Sequence, residues 1–96
     1  MELSYVSAVV LHAIQSGRRY GFQIMEAAGF PSGTVYPALR KLEKAGLIRS
    51  QWERAALARA EQRPERKYYE VTREGEAALE SAGERYKFPD LVSGKR

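Results

Sequence analysis

The chain has 96 residues, no cysteine and a formal net charge of +4, which makes it one domain that buries only about 60–65% of the surface its unfolded state exposes. That composition excludes disulfides, iron–sulfur clusters and thiolate zinc sites, fits a reducing cytosol, and leaves no apolar run near the ~20 residues of a membrane span. The basic balance, with a pI near 9.6, points toward a polyanionic partner.

The opening MELSYVSAVVLHAIQ lacks a basic region ahead of its apolar run and reads as a helix of the mature protein, not a signal peptide. From Glu2 to Gln15, Leu3, Val6, Val9, Val10, Ala13 and Ile14 recur at three- and four-residue spacing, which predicts one buried helix face. Gly17, in SGRR, suits the end of that helix. A second, shorter helix is expected over YGFQIMEAAG, with Phe22, Ile24, Met25 and Ala28 making apolar contacts and Gly29 closing it. FPSG is a turn.

A third helix is expected to begin between Ser32 and Thr34 and to stop at Gly46, with Val35, Ala38, Leu39, Leu42 and Ala45 as its buried stripe. The preferred start makes Thr34 the cap, because Pro37 then falls in the first turn, where its missing amide loses no bond. The opposite side carries Tyr36, Pro37, Arg40, Lys41 and Lys44. A helix with one face buried and the other cationic fits a DNA major groove about 12 Å wide, and the free amides at its start, at Ser32, Gly33 and Thr34, suit a phosphate. The plainer reading of that face is simple solvation. It loses ground because a turn precedes the helix and two strands follow it.

Those strands, LIRSQW and KYYEVT, are short enough to pair as an antiparallel hairpin. Between them lies ERAALARAEQRPER, whose alanine-rich first part suits a helical turn that Pro64 ends. Arg63, Arg66 and Lys67 gather where the second strand begins, placed for phosphates or a minor groove, or else for solubility. Thr72 is expected to cap a last helix, with Glu74 and Glu76 near its positive end and Leu79, Ala82 and Tyr86 along its apolar edge. That helix is expected to stop near Lys87. Residues 1–88 form the predicted domain, and residues 89–96 a loosely held tail. Three helices, a hairpin and a closing helix describe a winged helix, mainly α with a small β-hairpin.

Catalytic constellations are missing from the sequence. His12 is the sole histidine, so neither a catalytic set nor a metal site is expected and no cofactor is implied. The surface spacing of Glu74, Glu76, Glu80 and Glu84 suits solvation and capping rather than acid–base work. Tyr5, Phe22, Trp52, Tyr68 and Tyr69 are expected to fill the core, the alternative being a pocket for a flat apolar ligand centred on Trp52.

YGFQIMEAAG, then SGTVYPALRKLEKAGLI, then Trp52, then RPERKYYEVTREGEAAL together resemble the PadR-like family of bacterial transcription repressors over residues 5–80. The resemblance implies a homodimeric winged helix on a palindromic double-stranded DNA operator. Thr34, Tyr36 and Pro37 would face the DNA, Tyr20 would lie near the phosphate backbone, and Arg66 and Lys67 would belong to the wing. It also implies release by a small aromatic or drug-like effector and a place in the bacterial cytoplasm, at the nucleoid when bound.

Two features depart from the family pattern. The segment from Arg54 to Gln62 is long for a wing, and the last helix is short where relatives carry a long dimerising one. Dimerisation would then fall to Tyr5, Val6, Val9, Leu79, Ala82 and Tyr86. The competing reading is a winged-helix module that binds another protein, and a third is a small-molecule carrier.

Overall fold

Ser4 sets where the chain becomes helical. Its Oγ accepts from the Ser7 amide at 3.1 Å, so helix α1 runs Tyr5–Gln15 rather than from Glu2. The computed structural model describes residues 2–88; the tail expected at 89–96 lies outside the described residues. Helix α1 is buried on nearly every side: Ala8 and Leu11 are covered as fully as the predicted stripe. The reason is its central place, for α2 (Gly21–Ala28), α3 (Ser32–Lys44), strand β2 (Lys67–Val71) and α5 (Arg73–Ala82) all pack against it.

Helix α2 starts where Gln23 Oε1 accepts from the Arg19 amide at 2.9 Å and the Tyr20 amide at 3.4 Å, and it closes at Gly29 with φ 79°. Ile24 is its buried anchor. Phe22, expected among its apolar contacts, instead points outward at 66% exposure. Helix α3 begins at Ser32 with Pro31 as its N-cap, and the Pro31 carbonyl accepts from the amides of Thr34 and Val35. The preferred Thr34 cap is therefore corrected. Pro37 stands inside the helix, and the Gly33 carbonyl has no amide at position 37 to accept from. Val35, Ala38, Leu39 and Leu42 are buried as expected, whereas Ala45 lies exposed at the C-cap.

Strands β1 (Ile48–Trp52) and β2 pair antiparallel, from Ile48 opposite Val71 to Trp52 opposite Lys67. The wing between them holds a short helix, α4 (Ala55–Ala60). Thr72 caps α5 as expected: its Oγ1 accepts from the Gly75 amide at 3.0 Å and donates to the Gly46 carbonyl at 2.7 Å. Helix α5 ends at Ala82, not near Lys87. Beyond it the chain is tied to the segment ahead of α1, where the Leu3 carbonyl accepts from Arg85 Nη2 and the Tyr86 hydroxyl, each at 2.9 Å.

The architecture is a winged helix with a helix built into its wing. Its core runs from α1 through the buried stripe of α3 to Ile48 and Tyr69. Of the aromatics expected there, Tyr69 alone is buried; Trp52 is 59% exposed and Tyr5 lies on the surface. Burying four α3 side chains against α1 and β1 leaves α3's other face turned out of the protein.

Candidate nucleic-acid interface

The outward face of α3 carries Tyr36, Pro37, Arg40, Lys41 and Lys44, all exposed. Ser32 and Gly33 are exposed at its start and Thr34 is half-buried. Pro31 supplies no side-chain cap, so the amides of Ser32 and Gly33 remain without an intrahelical partner at the positive end of the helix. Glu43, the lone acid of α3, is engaged: its Oε2 accepts from Ser50 Oγ at 2.6 Å. That bond draws the acid toward β1 and leaves the outer face cationic.

Tyr36 is placed by a residue that has no side chain. Its hydroxyl lies so close to Gly21 that a Cβ there would overlap it. The first turn of α2 and the second turn of α3 are thereby held against each other.

The hairpin approaches the same face from the other side. Its second strand is tied to the turn before α2, since the Tyr69 amide donates to the Arg19 carbonyl at 2.9 Å and Tyr20 bridges to Tyr68. The Tyr20 and Tyr68 rings lie 4.9 Å apart, and the Arg66 guanidinium sits 4.3 Å over Tyr20. Contact with Tyr20, burial and the Glu53 carboxylate push the Tyr68 phenol up to about 12. Lys67 Nζ lies 5.6 Å from the Trp52 ring. Between α3, the start of α2 and the wing opens a groove of about 960 Å³, walled by Tyr20, Phe22, Tyr36, Arg40, Trp52 and Arg66 among others. Trp52 is thus a groove wall rather than a core residue.

Arg63 does not join this face. Its guanidinium grips Glu53 with both terminal nitrogens, at 2.6 and 2.7 Å, and its Nε donates to Glu61 at 3.0 Å. A cation spent on two carboxylates has little left for a phosphate, so Arg63 is removed from the expected contacts. Both acids precede it in the chain, Glu61 by two residues and Glu53 by ten, and only the fold brings Glu53 to it.

Of the six residues expected at a dimer contact, Val9 and Ala82 are each 1% exposed within their own chain and have no surface to offer. Tyr5 and Tyr86 meet edge to face at 5.4 Å and, with Val6 on α1 and Leu79 on α5, retain apolar surface. Beside them His12 stacks on Phe88 at 4.7 Å, and burial lowers its pKa below the ordinary histidine value. It is a packing residue.

No helix among the described residues is long and apolar enough to cross a membrane. The sequence model of the "Transcriptional regulator PadR-like family" matches residues 10–81. No curated protein matches the chain. Among solved structures, a PadR family transcription regulator from Clostridium difficile is 25% identical with a TM-score of 0.73, over 85% of this chain and 86% of that one. A Streptococcus transcriptional regulator is 32% identical with a TM-score of 0.65, over 83% of this chain and 79% of that one. BpsR of Bordetella bronchiseptica, whose DNA binding is regulated by 6-hydroxynicotinic acid, shares the fold at 19% identity and a TM-score of 0.70, over 86% of this chain and 58% of that one.

Proposed function

Because the chain belongs to the PadR-like family of transcriptional regulators, a family without enzymatic activity, we propose that it is a sequence-specific repressor that binds double-stranded DNA as a homodimer. Helix α3 enters the major groove, with Arg40, Lys41 and Lys44 toward bases and phosphates and Tyr36 and Pro37 at its leading end. Ser32, Gly33 and Thr34 meet a phosphate at the helix start, while Tyr20, Arg66 and Lys67 contact the flanking backbone. The observation that carries this reading is the exposed cationic face of α3, backed by its buried stripe and flanked by wing cations.

Pairing of two copies through the rim of Tyr5, Val6, Leu79 and Tyr86 sets two reading helices against a pseudo-palindromic operator. A small aromatic effector seated in the groove beside Trp52 releases the DNA, since it occupies space that Tyr36, Arg40 and Arg66 need for contact. The protein then works in the bacterial cytoplasm, at the nucleoid when bound.

The test begins with selection of duplexes from a random library by the purified protein. Replacing Arg40 and Lys41 together by Ala is expected to weaken binding to the selected duplex. It should also reduce the slope of log affinity against log salt by about 1.8, from two phosphate contacts at about 0.9 each. Unchanged binding would remove α3 as the reading face. A protein that stays monomeric at micromolar concentration and shifts no duplex would favour the protein-binding module instead.

A further inference from the structure

The wing holds an ionic cluster that faces neither the core nor the reading face. Glu53 follows β1 directly, and its side chain is 1% exposed. Its carboxylate accepts from Arg63 Nη1 at 2.6 Å, Arg63 Nη2 at 2.7 Å, the Arg66 amide at 3.1 Å and the Tyr68 hydroxyl at 3.3 Å. The Glu53 amide donates in turn to the Arg66 carbonyl at 2.8 Å. Arg63 also reaches Glu61 and the Pro64 carbonyl. Helix α4 is the loop that this ion pair closes.

Burying a carboxylate is costly, and a buried ion pair is seldom a better source of stability than an apolar pair of the same shape. What four converging donors supply is geometry. Here the geometry is that of the groove's far wall. The Arg66 backbone is held at both its amide and its carbonyl by Glu53, and the Arg66 guanidinium lies over Tyr20. Tyr68, which donates to the same carboxylate, packs tilted against that Tyr20 ring. Lys67 follows in β2 beside Trp52.

We propose that Glu53 and Arg63 are positioning residues for DNA binding: a wing clamp that holds Arg66 and Lys67 toward the duplex without touching it. The proposal rests on the DNA-binding reading and deepens it by separating wing cations that contact from the one that braces.

Charge and clamp predict opposite signs for one substitution. Glu53→Gln removes a negative charge close to a polyanion, so electrostatics alone would tighten binding. The clamp predicts binding to the library-selected duplex weakened about tenfold or more. It further predicts a salt slope shallower by about 1 to 2, although no cation has been removed. Arg63→Lys keeps the charge but loses the two-pronged grip and is expected to weaken binding as much as Arg63→Ala. The double variant Glu53→Gln/Arg63→Ala should bind no worse than either single one, because both changes open the same clamp. Amide exchange of the hairpin and α1 separates an opened wing from a chain that has not folded. Tighter or unchanged binding by Glu53→Gln, or wild-type binding by Arg63→Lys, overturns the clamp while leaving the reading face intact. No duplex binding by the wild-type protein overturns both.

Discussion

At Gly21 and Gly75 the missing side chain is the point. A Cβ at Gly75 would overlap the Leu47 carbonyl and press on the half-buried Val71, and a backbone carbonyl does not move easily. Gly75→Ala is therefore expected to destabilise the fold by about 1–3 kcal/mol, read as a lower urea midpoint with an unchanged m-value. A Cβ at Gly21 meets only the end of the Tyr36 phenol, which lies at the surface and can swing aside. Gly21→Ala should change stability by less than about 1 kcal/mol yet weaken duplex binding, because the displaced ring belongs to the proposed reading face. Neither close approach was legible in the sequence, since each glycine's partner comes from another element. The cap at Thr72 differs, because the amide it accepts from lies three residues along the chain.

Among the elements, the wing carries a carboxylate whose ionisation contributes to stability. Arg63, first through its hydrogen bonds and then through its charge, and the Arg66 amide hold the Glu53 carboxyl down to about 2 from an ordinary 4.5, against the opposing effect of burial; Tyr68 adds to the lowering. As pH falls below about 4.5 the unfolded chain takes up a proton at Glu53 before the folded chain does. The contribution of Glu53 is therefore complete above that pH and is lost as pH falls toward 2. Glu61, which shares Arg63, faces the same cluster and is the competing acid. Unfolding followed by urea at pH 6, 4, 3 and 2 should show stability declining in acid for the wild type. For Glu53→Gln the decline should be shallower, and an equal slope in both proteins would dissociate Glu53 from acid unfolding. Helix α3 makes the complementary point about local rules. First-turn logic favoured Thr34 as its cap, whereas packing of Val35 and Leu39 fits a helix already running from Ser32, and the bond lost at Pro37 is tolerated.

At the scale of the whole molecule, the apolar residues that the fold leaves uncovered constrain the proposed pairing of two copies. With Val9 and Ala82 covered by their own chain, the rim left is Tyr5, Val6, Leu79 and Tyr86, and it borders the point where Arg85 and Tyr86 anchor to Leu3. Sedimentation equilibrium at micromolar concentration is expected to give a dimer, and Tyr5→Glu to give a monomer with the same far-ultraviolet circular dichroism. Footprinting should then show two protected half-sites about 34 Å apart, one turn of duplex. A single protected half-site from a dimeric protein would rule out this pairing.

Read alone, the sequence determined the element order, the Thr72 cap, most of the apolar stripe of α3, the hairpin and the cationic side of α3. Each of these is a local pattern, written at spacings of two to four residues, and the family motif lies within them. The tertiary structure alone decided that Arg63 pairs with Glu53 and Glu61, that Trp52 and Phe22 wall a groove, and that α1 is buried on nearly every side. It also decided which apolar residues remain on the surface. Those outcomes depend on which distant residues share a volume and a set of hydrogen bonds, and the spacing along a chain does not encode that.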